Sequence, residues 1–301
     1  MSQGTVRFTK AHGLGNDFLL VDADEVADLP PDLLAREICD RYTGVGADGL
    51  VVLSPSSTAD ATFRIYNSDG SEATLSGNAV RCAAALLMLR AERAGQKTAP
   101  RIRLETRVGA RTLHFLERRG PEWIFRTDIG KPGFAALGVP FRPPTAPREP
   151  ILDFPLPVGD VIIPVTVLSM GNPQCMVILP PESTLNWMAV GPDIERHPFF
   201  PNRTNVGFVR ILANDQIEAR FWERGAGHTL ASGTGSCACA VAAHLAGKTG
   251  RRVRVHLERG VLEVHWRDDD MVELTGPAEI VAEGDFTWRV KDSSSSTGNK
   301  G

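Results

Sequence analysis

Hydrophobic and polar positions alternate with period two along much of this chain, the pattern of half-buried strands. Alternation, with short continuous apolar runs at 18–22 and 50–53, predicts strands at residues 6–10, 18–22, 50–53, 101–106, 112–117, 123–128 and 161–168, one following Asn205-Val206, and others at 253–258, 261–266 and 271–275. Gly276-Pro277 reads as a turn into a last strand at 279–284 that crosses back to the first half. Helical spacing is rarer. Pro30-Pro31-Asp32 opens an amphipathic helix to about Arg41, with Leu33, Leu34, Ile38 and Cys39 on its buried side. A second runs over 79–93 and stops near Gly95 and Pro100; a third covers 187–196. A fourth, rich in Ala, Cys and Ser, follows Ser232-Gly233-Thr234-Gly235.

That fourth helix start is the stretch on which the functional reading turns. Unpaired N–H groups at a helix start, capped by Ser or Thr, favour an anion such as a carboxylate or phosphate. The segment has a twin. Leu75-Ser76-Gly77-Asn78 leads into Ala79-Val80-Arg81-Cys82-Ala83-Ala84, and Ser76-Gly77 lies 156 positions before Ser232-Gly233. The same offset carries Arg64 onto Arg220, Tyr66 onto Trp222, Asn67 onto Glu223, Ala84 onto Ala240 and Gly15-Asn16 onto Gly171-Asn172. One register kept over so long a stretch indicates an internal duplication, hence two similar α/β units rather than a solenoid. Two facing helix starts at their interface would make one anion cleft.

Composition narrows the classes. With 301 residues, 42% of them hydrophobic, the chain is long enough for two domains. A net charge of −3 leaves no basic footprint for nucleic acid. Arg101-Ile102-Arg103 and Arg251-Arg252-Val253-Arg254 read as solvated strand edges. No apolar run reaches membrane-spanning length and the N-terminus lacks signal-peptide character, so a cytoplasmic protein without membrane partners is expected. Five cysteines without CxxC spacing indicate neither a disulfide framework nor a metal site. Gly44-Val45-Gly46-Ala47-Asp48-Gly49 is a weak phosphate-loop signal, with no lysine or long helix after it. Prolines crowd residues 132–157, which are read as the linker into the second half. The Ser- and Gly-rich tail 292–301 is read as disordered.

These motifs together resemble a known family. His12-Gly13-Leu14-Gly15-Asn16-Asp17-Phe18, Asn67-Ser68-Asp69-Gly70-Ser71-Glu72-Ala73, Gly77-Asn78, Arg81-Cys82, Gly171-Asn172-Pro173, Thr204-Asn205-Val206, Glu223-Arg224-Gly225-Ala226-Gly227, Thr229-Leu230-Ala231 and Gly233-Thr234-Gly235 are similar to diaminopimelate epimerases from about residue 5 to 285. The resemblance implies an α/β fold of two pseudo-symmetric halves, each a mixed β-sheet or barrel wrapped around a central helix. The halves would be residues 1–130, joined by a C-terminal strand at 277–291, and residues 131–276. It implies a homodimer and cofactor-free, metal-free inversion at the α-carbon of a small amino acid, most simply LL- to meso-diaminopimelate, in the lysine and peptidoglycan precursor pathway. Two bases, one on each face of the carbon, exchange its proton. Asn67, Asn205 and Arg224 would hold the distal amino-acid end of the substrate; Asn16, Gly77, Asn78, Asn172, Gly233 and Thr234 would line the reacting end.

The sequence departs from that family at its chemistry. The two cysteines of the family correspond to Ser76 and Ser232, and the histidine after Asn-Pro is Gln174, while Glu223 is kept. Forming a serine alkoxide costs about 7–10 kcal/mol more than forming a thiolate. Uncompensated, that removes about five or more powers of ten in rate. Gln174 cannot take a proton. His228 reads as a surface or capping residue before it reads as a base, and Cys82 and Cys237 as core. Cys175, next to Gln174 on a strand, points to the opposite face. Three readings stay open: an epimerase using Ser76, Ser232, Glu223 and Gln174 as its altered catalytic set; a catalytically impaired homologue that binds an amino acid; and a related isomerase or dehydratase on another amino acid. A paired exchange of cysteine for serine explains the serines but not Gln174.

Overall fold

The computed structural model describes residues 3–289 except 28 and 98. The tail 292–301 lies outside the described residues, as do the first two residues and positions 290–291 of the expected C-terminal strand. In chain order the elements are β1 (Gln3–Gly13), β2 (Asn16–Asp22), α1 (Pro31–Ile38), β3 (Gly49–Ser54), β4 (Ala61–Asn67), β5 (Glu72–Ala73), α2 (Gly77–Arg93), β6 (Arg101–Thr106), β7 (Gly109–Arg119) and β8 (Glu122–Gly130). There follow β9 (Ile151–Val158), β10 (Val161–Ser169), β11 (Pro173–Leu179), α3 (Trp187–Glu195), β12 (Asn205–Ala213), β13 (Gln216–Glu223), β14 (Gly227–Thr229), α4 (Gly233–Leu245), β15 (Arg252–Leu257), β16 (Gly260–Trp266) and β17 (Val272–Arg289).

The strands wind around two buried helices. β1, β2, β3, β4, β6, β7, β8 and β17 pair in sequence, and β17 pairs back with β1, closing a barrel. Its core packs Ala79, Val80, Cys82–Leu86 and Met88 of α2 against Phe63, Trp123 and Phe125. Around α4 runs a second set, β9 through β13, then β15, β16 and β17. Here the chain leaving β8 bridges to the end of β10 through Gly133 and Ser169. A helix apolar all round is buried all round. Cys237 to Ala243 of α4 are all buried, and their small side chains let strands approach from every side. Among the described residues no helix is long and apolar enough to cross a membrane.

Three expectations are corrected. β17 does not turn at Gly276-Pro277 but runs unbroken through it. β16 pairs with β17 up to Thr275 and β1 takes over from Glu279, so Pro277 sits where no strand on that side needs its missing N–H. The proline-crowded segment is not only a linker: its end forms β9, whose ladder is with β10 alone. An edge strand tolerates prolines such as Pro155 and Pro157. Val139 and Phe141, within the same segment, are buried against Phe154 and Phe200. Finally, α1 stops at Ile38 rather than near Arg41, and Leu33, expected on its buried side, is exposed while Leu34 and Ile38 are buried. Asp40 accepts hydrogen bonds from the backbone N–H groups of Tyr42 (2.9 Å) and Thr43 (2.6 Å), a local turn that competes with another helical turn.

Candidate active site

Both central helices begin with a serine in extended backbone, φ −134° at Ser76 and −130° at Ser232. Each hydroxyl accepts from a first-turn N–H: Ser76 Oγ from Ala79 (3.3 Å), Ser232 Oγ from Gly235 (3.2 Å). This is ordinary N-capping, written locally in the sequence. The fold then brings the two starts together. A Cβ on Gly77 would lie 4.0 Å from Gly233 Cα, and one on Gly233 would lie 3.9 Å from Gly77 Cα. Two sets of unpaired N–H groups therefore converge on one place, where an anion is favoured by both helix dipoles.

The two serines have different neighbours. Ser232 Oγ donates to Glu223 Oε1 at 2.5 Å. Glu223 ends β13, whose pairing with β14 folds the chain back toward the α4 cap. Burial raises the Glu223 carboxyl above its ordinary value, with the Ser232 hydrogen bond opposing the rise. The carboxylate is thus a stronger proton acceptor than a solvated one, placed on a hydroxyl. The position matching Glu223 by the offset is Asn67, exposed at the end of β4, where its amide donates to Ser71 Oγ (2.9 Å).

Gln174, fully buried on β11, donates from Nε2 to Asn172 Oδ1 (2.9 Å) and Thr234 Oγ1 (3.3 Å), and its Oε1 has no partner in the structure. Asn172 in turn donates to Thr234 Oγ1 (3.4 Å). Gln174, Asn172 and Thr234 thus form one polar cluster on the α4 side. On the α2 side Asn78 donates to Asn16 Oδ1 (2.9 Å) and Asn16 to Asp48 Oδ2 (2.7 Å). Arg41 binds both Asp48 (2.7 Å) and Asp17 (2.8 Å), and Lys10 reaches Asp17 at 3.1 Å. Burial raises the Asp17 carboxyl, but the Arg41 and Lys10 bonds outweigh it and hold it below the ordinary value.

Asn205 is buried; its Oδ1 accepts from the Arg224 N–H (2.9 Å) and its Nδ2 donates to the Pro173 carbonyl (3.3 Å). Arg224 donates from Nη1 to the Asn202 carbonyl (3.2 Å). Sequence reasoning missed two supporting acids. Asp48 was visible only as part of a glycine-rich turn, and Glu195 carried no motif at all. Glu195 is 2% exposed and accepts from the Gly225 N–H (3.1 Å) and from Arg203 (3.4 Å), so it fixes the loop that carries Arg224.

His228 and the cysteines take the structural roles expected of them. His228 Nε2 lies 2.7 Å from Glu258 Oε1 and its ring packs on Trp187. All five thiols are free and buried. Burial pushes Cys82 and Cys237 up to about 12, and Cys175 higher still, the opposite of what a proton-transferring thiolate requires.

Comparison with known proteins bears on this geometry. The family described as Diaminopimelate epimerase matches residues 8–133 and 166–281. A diaminopimelate epimerase of Pelotomaculum thermopropionicum is 45% identical over 286 residues, covering 94% of this chain and 100% of the relative. One of Synechocystis is 42% identical over 282 residues, 92% of this chain and 97% of the relative. Among solved structures, a Bacillus anthracis phenazine biosynthesis protein of the PhzF family (TM-score 0.63, 17% identity, 95% of this chain and 99% of that one) shares the fold. So does a hydroxyproline epimerase of Agrobacterium vitis (TM-score 0.63, 15% identity, 94% and 91%). By sequence over nearly its whole length, the chain belongs to the diaminopimelate epimerase family.

Proposed function

We propose that the chain is a cofactor-independent amino-acid epimerase acting on diaminopimelate, LL to meso and back, with Ser76 and Ser232 as its proton-transferring pair. The observation that carries this reading is the 2.5 Å bond from Ser232 to Glu223 at a helix start facing a second helix start. The substrate carboxylate sits at the paired N-termini, where charge that develops toward the α-carbon is stabilised. Glu223 takes the Ser232 proton as Ser232 Oγ removes the α-proton. Ser76 delivers its hydroxyl proton from the other face and is reprotonated from water, to which Glu223 returns the proton it took. In the return direction the roles exchange. Asn16, Asn78, Asn172, Gly77, Gly233 and Thr234 line the reacting end; Asn67, Asn205 and Arg224 hold the distal one. Gln174, with donors committed to Asn172 and Thr234, offers its free carbonyl oxygen to the substrate ammonium group. We place the enzyme in the cytoplasm as a homodimer, each subunit divided into residues 1–130 with 277–291, and 131–276.

A second reading, an amino-acid-binding protein without turnover, is favoured by the Ser76 side, where the base partner is replaced by an amide. The deciding experiment is solvent-deuterium incorporation at the α-carbon of LL- and meso-diaminopimelate, followed by NMR. Exchange that Ser232→Ala abolishes supports the serine epimerase. Exchange only after Ser76→Cys/Ser232→Cys supports the binding protein, and silence in both removes diaminopimelate as substrate.

A further inference from the structure

Beneath the meeting point of α2 and α4 lies a buried charge that the reaction just described does not use. Arg81, at the start of the second turn of α2, is 0% exposed. Its Nε donates to the Pro277 carbonyl at 3.0 Å and its Nη2 to Asn78 Oδ1. The Pro277 bond fills the gap in β17 between the end of pairing with β16 and the start of pairing with β1. Nη1 is buried and has no partner among the described residues. No carboxylate faces the guanidinium among the described residues. Burial draws Arg81 down to about 10, and only the neighbouring Cys82 and Cys237 thiols act the other way. At neutral pH it remains a cation, and a buried cation without a counter-ion is strongly disfavoured.

The free Nη1 lies beside Gly77. A Cβ on Gly77 would meet Arg81 Nη1 at 3.9 Å and Gly233 Cα at 4.0 Å, so the guanidinium stands on the side of Gly77 that faces the other helix. Arg81 also begins a chain of hydrogen bonds with one direction: to Asn78 Oδ1, from Asn78 to Asn16 Oδ1, from Asn16 to Asp48 Oδ2. Arginine can only donate and a carboxylate can only accept, so both amides between them are locked in one orientation. Reversing either would set oxygen against oxygen or N–H against N–H.

We propose that Arg81 is a positioning residue of this site: its buried charge awaits the anion seated between the two helix starts, and its bond to Asn78 fixes how Asn78 and Asn16 present their remaining donors. The ligand supplies the missing counter-charge. This rests on the carboxylate-binding reading above only for the identity of that anion, and a simple anion tests it separately.

Titration calorimetry with sodium sulfate and with meso-diaminopimelate, on the unaltered protein and on Arg81→Met, Arg81→Gln and Arg81→Lys, reads the effect. The neutral variants weaken sulfate binding about 30-fold or more, the scale of a lost charge-assisted hydrogen bond in a dry site. Arg81→Lys, which keeps the charge but not the separate bonds to Pro277 and Asn78, loses less than the neutral variants do. An architectural arginine would lower the melting temperature of the neutral variants and leave both dissociation constants within about twofold, which overturns the proposal. So does failure of sulfate to bind the unaltered protein. If sulfate responds to Arg81 but diaminopimelate binds nothing, Arg81 keeps its role and the diaminopimelate reading falls. Should the neutral variants not fold, NMR of the unaltered protein labelled with ¹⁵N-arginine decides: slowly exchanging Nη signals of Arg81 shift on addition of sulfate, and unmoved signals overturn the proposal.

Discussion

The α4 start and the α2 start share a backbone and differ in chemistry. Both are Ser-Gly turns with nearly equal dihedral angles and the same capping bond. Yet Ser232 holds a carboxylate at 2.5 Å, whereas the position that matches it in the other half is an exposed asparagine engaged with Ser71. The lesson is that the anion site and the base are separable: helix starts repeat with the local sequence, but each hydroxyl acquires its proton acceptor from elsewhere. Two starts alike in backbone and capping therefore differ in the proton acceptor set on the hydroxyl.

The largest test restores the missing chemistry on both sides. Ser76→Cys/Ser232→Cys with Gln174→His is expected to raise α-proton exchange by about five powers of ten, as measured by deuterium wash-in; no gain would mean that the hydroxyls are not what limits the rate. Next, Glu223→Gln removes the acceptor from one side only and should slow exchange about 10²–10⁴-fold, and it should do so for the stereoisomer that presents its proton to Ser232. Equal loss from both isomers would break the asymmetry. The same carboxyl sets a pH signature. Because burial raises it, the carboxylate form appears only above the ordinary glutamate range, so exchange climbs with pH through that raised value and Glu223→Gln abolishes the climb. The stability contribution runs the other way: the folded state favours the protonated form, a preference present at low pH and lost as pH rises through the raised value.

A smaller effect separates binding from folding. At Gly77 an added methyl group meets its neighbours only at 3.9 Å or more. Gly77→Ala should therefore leave stability unchanged or raise it by up to ~1 kcal/mol, while filling the gap between the helices and lowering ligand affinity about tenfold or more. Calorimetry paired with thermal melting checks both halves of that statement. The smallest difference lies in the caps themselves. Ser76→Ala and Ser232→Ala each cost about 1 kcal/mol of stability through the lost cap, the Ser232 change somewhat more because it also strips Glu223 of its hydrogen bond. Denaturant melts that ranked Ser76→Ala above Ser232→Ala would contradict this order.

What was legible in the chain is what depends on near neighbours. The capped starts of α2 and α4, the alternation of β6 to β8 and of β15 to β16, and the buried small-residue helices are all written within a few residues. The misread parts depended on distant partners. β9 looked like linker because its prolines weigh against a strand, and only its place at the edge beside β10 admits them. Gly276-Pro277 looked like a turn because nothing local shows that β8 continues to pair along one side of it. Of the candidate residues, Asn16, Asn78, Asn172, Thr234, Asn205 and Arg224 could be chosen from motifs. Glu195 could not, since its role is to hold backbone and side chains brought to it by folding.

By itself, then, the sequence determined the two helix starts and the residue types around them, because caps, periodicity and side-chain chemistry act over a few residues. Only the tertiary structure decided that the starts meet, that Ser232 alone receives a carboxylate, and that Arg81 lies buried beneath them, bonded to a carbonyl 196 residues away. The Glu223 contact follows from the β13–β14 pairing that folds the chain back onto the α4 start, and the burial of Arg81 from β17, which pairs with β1 and supplies the Pro277 carbonyl.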